Sequence, residues 1–126
     1  MKFYVDIDNT ICSSIERNRH VKKIKHCKPY KLIKEINKLY KEHTIIIYTH
    51  RNDKCKKETI KWLKKHGVKY HKIKFNKPKW DLLIDDKVLP PYKFLNAKML
   101  EDYAEQIKNW NFDKGSAVSR RKKNVK

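Results

Sequence analysis

Apolar residues along this chain fall into two alternating rhythms. KFYVDI (2–7) and TIIIYT (44–49) are short runs of β-branched and aromatic residues, the make-up of buried strands. Between them, behind Pro29, the positions Leu32, Ile33, Ile36, Leu39 and Tyr40 recur at helical spacing. A polar, basic segment, 13–28, separates the first strand from that helix. A second helix is capped by Asn52 or Asp53 and turns Ile60 and Leu63 inward. It stops at Gly67 after a basic last turn of Lys64, Lys65 and His66. VKYHKIKF (68–75) predicts a third strand, NKPKW a turn, and DLLIDD (81–86) a fourth strand. Leu89-Pro90-Pro91 interrupts the pattern, and Leu100, Tyr103, Ala104 and Ile107 form one stripe of a last helix. Strands separated by helices imply right-handed crossovers and a mainly parallel sheet. The expected architecture is a small three-layer, Rossmann-like α/β domain whose crevice lies at the carboxyl ends of the strands.

The 126 residues suit one compact domain. We place it at residues 1–112, with a flap at about 13–28 and a basic tail at 113–126. No apolar run reaches the length of a membrane span, and no signal peptide opens the chain. The three cysteines, Cys12, Cys27 and Cys55, never fall in a Cys-x-x-Cys spacing. That disfavours a disulfide framework or a zinc site and points to a reducing, cytoplasmic setting. The formal net charge of +19 attracts polyanions and phosphorylated ligands. From Lys114 onward the tail carries basic residues and no acid, with too little apolar content to fold. It reads as a nucleic-acid contact, a localisation signal or a solubilising end.

Chemistry enters where the strands stop. The first runs into Asp6 and Asp8, one residue apart, which an ideal strand would point the same way. At roughly 4 Å and an effective dielectric near 20, two such charges repel by about 4 kcal/mol. Something cationic is therefore required beside them. The second strand ends on Thr49 and the predicted fourth on Asp85 and Asp86, so a parallel sheet would gather these groups on one edge. Such an oxygen-rich set suits Mg²⁺, which takes one or two carboxylates, keeps several waters and accepts phosphate oxygens.

The ordered series VDIDNT, IIIYT, Lys77 in NKP, and LLIDD resembles the four motifs of the haloacid dehalogenase (HAD) superfamily of phosphohydrolases, over about residues 2 to 95. DIDNTIC, YTHRN and the DDKVLPP that follows KP further resemble small capless members assigned to capsule biosynthesis. The resemblance implies a Mg²⁺-dependent phosphomonoesterase working through an aspartyl-phosphate. Asp6 would be the nucleophile and Asp8 the general acid and base. Asp6, Asp85 and the main-chain carbonyl of Asp8 would hold the ion, with Asp86 a direct or water-mediated ligand. Thr49, Asn9 and Lys77 would bind phosphate, and Lys77 would also offset the charge building up around Asp6. Dehalogenating members lack the carboxylate two residues after the nucleophile, so Asp8 favours phosphatase chemistry.

Lys77 lies close before Asp85, where many members place a whole helix; Lys74 or Lys79 could supply the cation, but Pro78 favours Lys77. Neither insertion point has room for a cap domain, and an open crevice goes with macromolecular substrates or closing partners. Arg17 and Arg19 in the flap, with Lys22, Lys23 and Lys25, form a candidate substrate rim. Arg51 is a candidate clamp, because guanidinium binds phosphate bidentately. His50 reads as packing or solvent-facing, and Trp62, Trp80 and Trp110 are assigned to the core. The resemblance implies a substrate that is a phosphorylated sugar or nucleotide, or a nucleic-acid phosphate end. The alternative is a nucleic-acid-binding or interaction module on a non-catalytic scaffold of the same fold.

Overall fold

The structure, a computed structural model, describes residues 1–14, 21–92 and 95–109. Three parallel strands, β1 (Lys2–Val5), β2 (Thr44–Tyr48) and β3 (Lys72–Lys74), form one sheet in the order β1-β2-β3. Val5 pairs with Ile47, and Ile47 with Ile73. α1 (Leu32–Leu39) joins the first two strands, α2 (Lys56–Lys65) the second and third, and α3 (Ala97–Lys108) follows. This is the expected Rossmann-like parallel α/β class, and no inserted cap domain occurs among the described residues. None of the described helices is long and apolar enough to cross a membrane.

The core follows from period-two alternation on the strands. Val5, Ile45 and Ile47 share a face and bury against Ile33, Ile36 and Leu39 of α1 and Trp62 and Leu63 of α2. Tyr4 and Tyr48 fall on the opposite face. Asn52 caps a short 3₁₀ turn, Asp53–Cys55, by accepting from the Lys54 N–H at 3.0 Å, and that turn runs into α2. Gly67, at φ 66°, ends α2: the Val68 N–H reaches back to the Leu63 carbonyl at 2.9 Å, a closure that favours glycine. Asn96 caps α3 through the Met99 N–H at 2.9 Å.

Two sequence expectations change. The second half of the flap is anchored: Val21–His26 forms a 3₁₀ helix packed on α2, with Ile24 fully buried. Ser13 N–H donates to the Lys28 carbonyl and Lys28 N–H to Ser13 Oγ, closing its base. Arg17 and Arg19 lie outside the described residues, as do Trp110 and the basic tail.

The predicted fourth strand is not formed. Residues 81–86 form no strand and are exposed, Leu82 at 78% and Ile84 at 91%. The reason is the length of the connection. β3 sits at the edge remote from β1, and a parallel crossover takes about a dozen residues or more. Far fewer separate Lys74 from Asp81. β1 therefore keeps a free edge, beside an open cavity of about 870 Å³ lined by α1, α3 and the 83–91 segment.

Candidate active site

Past Val5 the chain curls into a tight turn. The Ile7 carbonyl accepts from the N–H groups of Thr10 (3.1 Å) and Ile11 (3.0 Å), and Asn9 N–H donates to the Cys12 carbonyl at 2.8 Å. Asn9 sits at φ 62°, in the left-handed region that asparagine tolerates better than most residues. The turn gives each of the two carboxylates its own cation. Asp6 Oδ1 lies 3.5 Å from Lys77 Nζ. Arg51 donates to Asp8 twice, Nη2 to Oδ1 at 2.7 Å and Nε to Oδ2 at 3.0 Å. The repulsion expected from the sequence is thus met by two side chains of the protein itself.

Both cations are placed by the end of β2. Thr49 N–H donates to the Lys74 carbonyl at 3.0 Å, Lys77 N–H to the Thr49 carbonyl and Asn76 N–H to the Arg51 carbonyl, each at 2.8 Å. The β2–β3 ladder continues beyond the strands and delivers Lys77 to Asp6. Of the three candidate lysines, Lys77 is the one paired with Asp6; Lys74 instead donates to the Tyr4 hydroxyl at 3.2 Å. Lys77 Nζ also stands over the rings of Tyr48 (5.2 Å) and Trp80 (5.4 Å). His50 Nδ1 is hydrogen-bonded to the Lys77 carbonyl at 2.8 Å, and its ring meets Trp80 edge-on.

Arg51, the candidate clamp, has its donors engaged within the protein. It is 6% exposed, its third donor Nη1 goes to Thr59 Oγ1 at 3.0 Å, and Nη2 also approaches the sulfurs of Cys12 and Cys27. Burial pulls its pKa down, but the hydrogen bonds and charge of Asp8 outweigh that and leave it above the ordinary value. Thr49 is likewise sealed from solvent, and its hydroxyl accepts the Arg51 N–H at 3.1 Å. Trp62 is core, as expected, and donates to the Cys27 carbonyl at 2.9 Å. Trp80 is not: 44% of it is exposed at the mouth of the site. The signal was available, since Trp80 sits among Lys77, Pro78, Lys79 and Asp81 with no apolar neighbour on either side.

The carboxylates do not all converge. No three of Asp6, Asp8, Asp85 and Asp86 bring oxygens within 4.8 Å of one another. Asp6 and Asp85 line the same cavity, whereas Asp8 and Asp86 do not. Asp85 is held below the usual carboxylate range by hydrogen bonding from Asp86, whose N–H lies 2.6 Å from Asp85 Oδ1. Two carboxylates facing one cavity still match the donor chemistry of Mg²⁺, which needs no more than that from protein. A separate group, Glu42, His43 and Glu101, lies at the opposite end of the sheet, where His43 Nε2 meets Glu101 Oε2 at 2.9 Å and ties α3 to the start of β2.

The three cysteines are free and buried. Burial, opposed by the charge of Arg51, pushes Cys12 up to about 12 and raises Cys27 as well. The thiolate is the reactive form, so native Cys12 should be alkylated by iodoacetamide at pH 8 at least about a thousandfold more slowly than a free thiol. Peptide mapping after timed labelling checks this; rapid labelling of Cys12 in folded protein contradicts the burial.

No family model matches the chain, and no curated protein matches it. The fold is similar to that of a target protein from Vibrio cholerae known from its crystal structure. The two superpose with a TM-score of 0.63 at 22% identity, over 83% of this chain and 97% of the other. That likeness concerns the fold alone.

Proposed function

We propose that this chain is a Mg²⁺-dependent phosphomonoesterase of the haloacid dehalogenase type. The observation that carries the reading is the Asp6–Lys77 pair: a carboxylate at the carboxyl edge of a parallel sheet, facing an open cavity, with one ammonium beside it. Asp6 attacks phosphorus, the bond to the leaving oxygen breaks, and an aspartyl-phosphate forms. Asp8 would enter the cycle protonated, with one oxygen released from Arg51; it gives that proton to the leaving oxygen, then as a carboxylate takes one from the water that attacks the intermediate, which frees phosphate and restores Asp6. Lys77 offsets the negative charge that gathers between Asp6 and the phosphoryl oxygens. Arg51 is a positioning residue, because its two donors fix the Asp8 carboxylate. Asn9 is the remaining candidate for phosphate contact, since Thr49 is sealed from solvent and its hydroxyl holds the Arg51 main chain. Mg²⁺, held by Asp6, Asp85 and the Asp8 carbonyl with Asp86 at or near the ion, would supply further charge neutralisation. The substrate is a phosphorylated sugar or nucleotide, or a phosphate at a nucleic-acid end.

The test is phosphate release from an aryl phosphate and from a panel of sugar phosphates, nucleotides and phosphate-ended oligonucleotides, with Mg²⁺ and with EDTA. Release from at least one substrate with Mg²⁺, abolished by EDTA, is expected. Silence across the whole panel overturns the reading in favour of a binding module, and release indifferent to EDTA removes the metal from it.

A further inference from the structure

Three aromatic residues line the cavity that Asp6 faces. Tyr4 and Tyr48, on neighbouring strands, meet edge to face at 5.6 Å. Trp80 joins them through Lys77, whose ammonium stands over both Tyr48 and Trp80 while it pairs with Asp6. All three rings line the same cavity as Asp6, and Tyr4 (52%) and Trp80 (44%) are well exposed. Large rings left in water beside a cation lose the burial that usually holds them in a small domain. They are also held in place, Trp80 by His50 and Lys77, Tyr4 by Lys74.

We propose that Trp80, backed by Tyr48 and Tyr4, is a stacking platform for a nucleobase carried by the phosphorylated substrate. The proposal rests on the phosphomonoesterase reading and narrows its substrate class. Because one ammonium touches both the nucleophile and the platform, a phosphate at Asp6 has its leaving group within reach of the rings. Leu83, Val88 and Leu89 line the same cavity and extend the apolar surface that a flat base can cover, while Thr10, Asp85 and Lys87 supply polar groups beside it. Sequence-tolerant stacking of this kind suits any base.

The experiment uses the full chain carrying Asp6→Asn, with Mg²⁺, so that ligands persist. Binding of AMP, ribose 5-phosphate and adenosine is measured by calorimetry, alongside phosphate release by the unmodified chain. AMP is expected to bind on the order of tenfold tighter than ribose 5-phosphate, the gain expected of one stacked base. That preference should collapse towards one in Trp80→Ala and largely survive in Trp80→Phe. The ratio is what is read, so a general loss from disturbing Lys77 cancels. Equal affinities for AMP and ribose 5-phosphate, or a preference untouched by Trp80→Ala, overturn the platform while leaving the phosphatase reading intact if phosphate is released. Adenosine and AMP binding alike through Trp80, with no phosphate released from any substrate, keeps the platform and overturns the phosphatase. No binding of any of the three overturns the platform, and overturns the phosphatase as well when no substrate of the panel releases phosphate. A 5′-phosphorylated dinucleotide binding tighter than AMP identifies a nucleic-acid end as the source, and equal binding identifies a mononucleotide.

Discussion

Asp6→Asn is expected to fold like the parent and to release phosphate at least about a thousandfold more slowly. The amide is close to the carboxylate in size and sits in a turn held by main-chain hydrogen bonds of residues 7 to 12, none of which involves the Asp6 side chain. What it loses is the nucleophile, since a neutral amide oxygen does not form the acyl-phosphate, and the charge that Lys77 faces. Lys77 remains over Tyr48 and Trp80, so its ammonium keeps partial compensation. Parallel measurement of turnover and thermal midpoint checks both halves. Retained turnover removes Asp6 from the mechanism. A large drop in the midpoint would mean instead that the Asp6–Lys77 pair holds the fold together.

Asp8→Ala should lose turnover, because the acid and base are removed, and should also lower the unfolding free energy by about 3 kcal/mol, in the range for stranding one member of a buried ion pair. Burial decides which partner matters. The Arg51 side chain is 3% exposed and the Asp8 side chain 24%. Removing Asp8 leaves a guanidinium in the interior with Thr59 as its remaining strong acceptor. Removing the guanidinium instead, as in Arg51→Met, leaves a carboxylate that water can reach, at a cost of roughly 1–2 kcal/mol. Denaturant unfolding of the two variants measures the difference. A loss below about 1 kcal/mol in Asp8→Ala would place the pair among ordinary surface contacts. Turnover of Arg51→Met then reports on positioning, because that variant keeps Asp8 but frees its orientation.

What could be read in advance was local. The β-branched run 44–49 and the stripe from Leu32 to Leu39 are patterns within one element, and both elements formed there. Lys77 was legible because Pro78 marks the turn that presents it. What escaped depended on distant partners. Arg51 read as a candidate phosphate clamp, since nothing beside it in sequence shows that Asp8 and Thr59 enclose it. LLI at 82–84 has the composition of a strand, yet strand formation needs a neighbour, and the connection from β3 is too short to bring it alongside β1. Trp80 was misplaced by a habit of composition, in which large aromatics count as core, although its polar neighbours pointed outward. Asp85 and Asp86 ride on that unpaired segment, which is why the four carboxylates do not all converge.

The cross-links that build the site also set when it can exist. Asp8 and Arg51 are 43 positions apart, and Asp6 and Lys77 farther still. During synthesis the two carboxylates leave the ribosome first and stay hydrated and unpaired until β2, and then the loop after β3, have emerged and docked. Contacts of such long range close late and slow the search. The two carboxylate–cation pairs should therefore form only with the final registration of all three strands.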